Sequence, residues 1–243
     1  MRNILLSLLL STFLFFITTS KVCASLLVIE KGGEVVWNVL ADVDSLSLDI
    51  PRHSYIEVKE AAEVKPDANS MVSLTKSGEE ISLIVSSEAE TRELDVSGIN
   101  DDLIEIEERA EVQKVVIGVT DNMFSLKQKG VVAVTSFPIN IDSRSAELSV
   151  KTSSGDRFLS IFPFQAVEIL LQSKLLNKIT DNKVEIIEKE QELQYEIKGE
   201  KVLNFFDLVE YPIPVTSYIS ASTGEILTFE APVWYKVVAY LFT

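Results

Sequence analysis

The chain holds one histidine and one cysteine, so the chemistry open to its side chains is narrow. A nucleophilic triad needs an imidazole held by a carboxylate against a hydroxyl. His53 lies in the polar run Arg52-His53-Ser54 after Pro51, with nothing nearby to complete that arrangement, and it reads as a surface or turn histidine. Zinc sites are built largely from cysteine and histidine, and one of each is too few. Carboxylates are the abundant group, with 37 Asp and Glu in all. Two of them about 5 to 10 Å apart in a cleft would support glycoside hydrolysis, so a carboxylate-dependent hydrolase stays open. Glu105, Glu107 and Glu108, on or beside an alternating segment, read instead as a solvated strand face. Asp42-Val43-Asp44 with Asp49 offers oxygen ligands, but the central glycine and closing glutamate of a calcium loop are missing. Neither G-x-G-x-x-G nor G-K-[ST] occurs. No catalytic, cofactor-binding or metal-ligating residue is nominated, and the expectation is a non-catalytic protein without a cofactor.

The elements that would position any site are mostly strands. Val35 to Leu40 is a near-continuous apolar run, as in a buried strand. Met71 to Lys76 and Ile81 to Val85 flank Ser77-Gly78 and predict a hairpin. Further runs cover Leu103–Glu107, Val112–Thr120, Met123–Lys127, Val131–Ser136, Ala146–Lys151 and Arg157–Phe162. Asp121-Asn122, Gly130, Pro138 and Ser153-Ser154-Gly155 punctuate them. Ala146, Leu148 and Val150 alternate with Glu147, Ser149 and Lys151, which predicts one buried and one wet face. Short strands with frequent turns predict an antiparallel β-sandwich-like region over 25–160.

The pattern changes at Pro163, which suits the first turn of a helix. Phe164, Val167, Leu171 and Leu175 recur at helical spacing, and Asp181-Asn182 is the predicted stop. Strands resume at Val184–Glu188, Leu193–Ile197, Val202–Phe206, Val215–Ser220 and Glu225–Phe229. Pro212 and Pro214 predict a break or an edge there, because proline cannot donate to a central ladder. The fold class expected is therefore mainly β with a smaller α+β part, the helix packing on a small antiparallel sheet over 161–243. Glu57 to Asn69 is the most linker-like stretch in the first region.

Residues 1–24 read as a signal peptide. Arg2 precedes an apolar run from Ile4 to Thr18, and Val22-Cys23-Ala24 fits a cleavage site that leaves Ser25 first. An exported protein is the expectation, secreted, periplasmic or at the cell surface. Cleavage would remove the sole cysteine, leaving a core held without disulfides. Hydrophobic residues make up 47% of the chain, enough to fold despite a formal charge of −15. That charge repels phosphate backbones and argues against nucleic acid as a partner. A protein or glycan partner is expected. Trp37 and Trp234 lie in apolar runs that read as core. Trp234, Val237, Val238 and Leu241 also fall at helical spacing, so the C-terminal APVWYKVVAYLFT could dock on the core or make peripheral membrane contact.

From Pro163 onward, a helix followed by strands and ending in Tyr218-Ile219-Ser220-Ala221-Ser222-Thr223-Gly224-Glu225-Ile226-Leu227 resembles PepSY-type domains. These are small exported α+β modules whose last hairpin often carries a Thr-Gly-Glu turn. Ser220 stands where that turn commonly opens on an acid. The resemblance implies modulation or inhibition of an exported peptidase, as the alternative to a binding or envelope-structural role.

Overall fold

The computed structural model describes residues 25–38, 69–109, 113–205 and 209–238. The leader with its cleavage site, the Asp42–Asp49 carboxylates, His53 and all but the last residue of the linker-like stretch lie outside them.

Among the described residues the protein is mostly β, as expected, and its strands form two sheets. The six-stranded sheet runs β12-β11-β10-β3-β4-β5 and is antiparallel throughout. Its strands are β3 (Met71–Ser77), β4 (Glu80–Ser86), β5 (Thr91–Asp95), β10 (Ile139–Asp142), β11 (Leu148–Thr152) and β12 (Gly155–Phe158). The predicted hairpin is β3–β4, with Ser77 opposite Glu80.

The larger sheet begins with β1 (Leu27–Ile29), β2 (Val35–Trp37), β6 (Asp102–Ile106), β7 (Val115–Thr120), β8 (Met123–Gln128) and β9 (Val131–Thr135). It continues through β14 (Lys183–Lys189), β15 (Glu192–Phe205), β16 (Val209–Ser220) and β17 (Ile226–Glu230). The short β13 (Lys178–Ile179) pairs with β15 off this path. Two pairings, β1 with β6 and β9 with β14, are parallel, so this sheet is mixed rather than wholly antiparallel. A parallel pairing needs a long crossover. Between β9 and β14 the chain supplies β10, β11, β12, the helix α1 (Pro163–Gln172) and the short β13. The large sheet thus takes strands from both sides of the expected boundary at 160–161: β1, β2 and β6 to β9 before it, and β13 to β17 after it.

Alternation decides the core. Val72, Leu74, Ile81 and Leu83 of one sheet and Ile104, Ile117, Phe124 and Leu126 of the other are fully buried in one cluster. Ala146, Leu148 and Val150 are buried and Glu147 and Lys151 exposed, as their alternation predicted. The run Val35–Leu40 was expected to be buried, but β2 (Val35–Trp37) is half-buried, since among the described residues it sits at a sheet edge with β1 as its one partner; Val39 and Leu40 lie outside those residues.

α1 packs on β8, β9 and β15. Pro163 takes its first turn, and Gln165 Oε1 accepts the Phe162 N–H at 2.9 Å. The helix stops at Gln172, well before the expected Asp181. Ser173 caps it, its hydroxyl donating to Leu170 O at 2.8 Å, and Lys174 turns left-handed at φ 57°. The buried face is Pro163, Ala166, Val167 and Leu170, whereas Leu171 is exposed. The sequence line through Leu171 was therefore rotated about one residue from the true stripe.

β15 and β16 are longer than their sequence runs. They pair from Gln194–Ser220 to Phe205–Val209, while β17 reaches only Thr216 to Ile219 of β16. Pro212 and Pro214 fall on the part of β16 that β17 does not reach, so they mark an edge and not a break.

Two glycines let strands and loops close up. A Cβ at Gly118 would stand 2.3 Å from Asp101 O, and one at Gly199 would stand 2.4 Å from Lys178 O. Gly98 has nothing within 4 Å of that position. Gly118→Ala and Gly199→Ala should each destabilise by about 1–3 kcal/mol, as overpacking does, and Gly98→Ala by less than about 0.5 kcal/mol. Urea unfolding reads all three; midpoints for the first two equal to wild type would remove the close-approach argument.

Candidate functional site

A cleft of about 770 Å³ lies at one end of the two sheets. Three connections build it: the β3–β4 turn with Glu79 and Glu80, the β5–β6 crossing with Ser97 to Asn100, and the β7–β8 turn Asp121-Asn122. β5 belongs to one sheet and β6 to the other, so this crossing must bridge the gap between layers. Its shape is held by Val96 N–H to Ile81 O at 2.9 Å and by Ile81 N–H to Ser97 Oγ at 2.9 Å. Ser97 donates its hydroxyl and its N–H to Asp95, and these bonds hold the Asp95 carboxyl below the usual carboxylate range. Ser97 is therefore a hinge pin of the loop, already committed on both its donor and acceptor sides.

Asp121 and Asn122 are both left-handed, the twist that suits a two-residue hairpin. Asp121 N–H donates to Asn100 Oδ1 at 3.1 Å, and Lys76 Nζ of β3 donates to Asn122 O at 2.7 Å. The three loops are thus tied together across the layers. Glu79, Glu80 and Asp121 give the rim negative charge, and Ile99 and Val119 give it an apolar strip. Such a surface accepts hydrogen bonds and favours cationic or hydroxyl-bearing ligands.

At the opposite end of β3, Arg109 acts as a clamp. Its Nη1 donates to Arg144 O at 2.7 Å, and its Nη2 donates to Glu30 O and Ser143 O at 2.8 Å each. One guanidinium therefore joins the β1–β2 connection to the β10–β11 turn.

The three glutamates singled out in the sequence are dispersed in role. Glu105 pairs with Lys114 at 2.6 Å, Glu107 accepts the Lys31 N–H at 3.3 Å, and Glu108 is exposed. Among the described residues no group of three His, Cys, Asp or Glu side chains could hold a metal ion. Trp37 packs at the core margin as expected, but Trp234 does not: it is 42% exposed on the short helix α2 (Val233–Val238). Its ring stands edge-on to the exposed Tyr211 of β16 at 5.9 Å and to Tyr235 at 6.5 Å. Among the described residues no helix is long and apolar enough to cross a membrane, which says nothing of spanning by strands.

The Ser217–Leu227 stretch is a structural turn. Gly224 takes φ +77° and presses against Ile161 and Ile169. Ser220 Oγ accepts the Thr223 N–H at 3.2 Å, so a hydroxyl does the capping at the position where the resembling turns carry an acid. Ser222 Oγ donates to Phe158 O, and Ile161 N–H to Ala221 O, which docks the turn on the β12–α1 connection.

Sequence reading missed the contact between the sheets at Glu188. Its two carboxylate oxygens take the N–H and hydroxyl groups of Ser153 and Ser154 in the β11–β12 turn. No local pattern marks a pair 34 residues apart in the chain. Comparison with known proteins finds no matching family, no matching curated protein and no matching solved structure.

Hydrogen bonds from Ser153 and then Ser154 bring the Glu188 carboxyl down to about 2. A lowered folded-state value stabilises above the unfolded value of about 4.3 and is lost as pH falls toward 2. Glu188→Gln should therefore flatten the fall in melting temperature between pH 4.5 and 2. An acid profile identical to wild type would count against the latch.

Proposed function

We propose that the protein is an exported, non-catalytic binding module that engages a protein or glycan at the cell exterior through the acid-rimmed cleft. The observation that carries this reading is the cleft's construction. Three loops from two sheets are locked to one another by Lys76–Asn122, Asp121–Asn100 and Ile81–Ser97. A rim fixed before the ligand arrives loses less conformational freedom on binding. Its carboxylates and amide groups suit lysine- or arginine-bearing segments and polyhydroxylated chains. The leader-like residues 1–24 support export, and the charge of −15 supports partners other than nucleic acid.

The purified protein should bind at least one fraction in a panel of envelope glycans and exported proteins. Replacing the rim with Glu79→Ala, Glu80→Ala and Asp121→Asn together should weaken that binding tenfold or more. Retention by no fraction, or equal retention of wild type and triple variant, would sink the reading.

A second reading, modulation of an exported peptidase, draws on α1 followed by the β14–β17 meander with its docked Thr-Gly-Glu turn. It expects the protein to slow at least one exported peptidase in a broad panel. Unchanged rates throughout would end it.

A further inference from the structure

A second cavity, of about 370 Å³, lies where the β8–β9 hairpin meets the β6–β7 connection. Among its lining residues are Gln113, Lys114, Lys127, Gln128, Lys129 and Gly130. On β8, Phe124 and Leu126 face the core and are fully buried, and Gln128 takes the next inward position at 1% exposure. Neither its Nε2 nor its Oε1 has a hydrogen-bond partner among the described residues. The buried Oε1 of Gln113 is likewise without a partner there. Buried polar atoms in folded proteins are nearly all hydrogen-bonded, so an amide left open on both atoms calls for an explanation. Packing does not provide one, because leucine or methionine would continue the apolar row of Phe124 and Leu126 without an unmet atom.

Of the charged groups around the cavity, the three lysines are already engaged and Glu108 is exposed to solvent. Lys127 pairs with Asp102 at 2.6 Å, Lys114 with Glu105 at 2.6 Å, and Lys129 lies 5.0 Å above the Phe164 ring. Among its buried groups the cavity leaves open one carboxamide with its donor and acceptor, and a second acceptor beside it. A carboxylate or sulfate brings acceptors alone and an ammonium group donors alone, so either would leave part of this set unmet. A peptide unit carries an N–H and a C=O within one planar group and answers both. None of the lining residues is aromatic, so a sugar ring has nothing to stack on. Gly130 adds bare backbone with open space where a side chain would stand, which lets another main chain approach.

We propose that Gln128 and Gln113 form a binding site for a peptide main-chain amide, separate from the acid-rimmed cleft and independent of the function proposed for it. NMR of the intact protein tests this through the side-chain amide signals of the two glutamines. The probes are N-acetylglycine N-methylamide, methyl glucoside and inorganic phosphate, each titrated alone. The peptide mimic should shift both amides saturably, the other two should shift neither, and Gln128→Met should weaken the peptide response tenfold or more. Unmoved glutamine signals, showing a cavity held by water alone, would overturn the site. So would a response to glucoside or phosphate in place of the peptide mimic, or wild-type affinity in a folded Gln128→Met. If Gln128→Met does not fold, Gln113→Leu decides by the same titration: a loss of threefold or more supports the site, and an unchanged curve overturns it.

Discussion

The parallel pairing of β9 with β14 is the joint on which the rest of the structure depends. Lys183, Val184 and Glu185 align with Val132, Ala133 and Val134. Between these strands the chain leaves the large sheet, completes the second sheet with β10 to β12, and lays down α1. Only if β14 then returns to β9 do the two ends of the chain share one sheet. Hydrogen bonding sets the register, and burial of Val184 beside Ala133 sets which face turns inward.

Around that joint, polar groups link layers that aliphatic contacts alone would leave free to slide. Arg109 spans three carbonyls from two connections, Glu188 holds the β11–β12 turn, and the fully buried Tyr195 donates its hydroxyl to Ile161 O at 2.7 Å. Burial pushes the Tyr195 hydroxyl pKa well up, so that group stays a neutral donor. Edges are guarded by sequence. β5 is Thr-Arg-Glu-Leu-Asp, largely exposed and charged, and the open part of β16 carries two prolines. Both devices discourage a further strand from pairing.

The two candidate sites differ in electrostatic character. The end cleft gathers Glu79, Glu80 and Asp121 and faces solvent. Around the Gln128 cavity three lysines are matched by Asp102 and Glu105 or spent on an aromatic face, and Glu108 is exposed. Long-range attraction can therefore act at the first, and short-range hydrogen-bond matching at the second. Neither could be read from local spacing. Glu79, Ser97 and Asp121 are scattered along the chain, and Gln128 gains its meaning only from an inward position without a partner.

Periodicity alone determined the mainly-β class, the β3–β4 hairpin, most later strands, the start of α1 at Pro163 and the wet and dry faces of β11. These follow from steric and solvation preferences that act over a few residues. Tertiary structure decided the rest. The helix ended at Ser173 because Leu170 and Ser173 found a capping bond there. Glu190-Gln191 took left-handed turn conformations that their side chains do not favour, since the β14–β15 pairing requires them. The parallel joints, the contact of Trp234 with Tyr211, and the meeting of Glu188 with Ser153 all depend on contacts between distant segments. Local sequence carries no energy term for such contacts, so only the folded arrangement could select them.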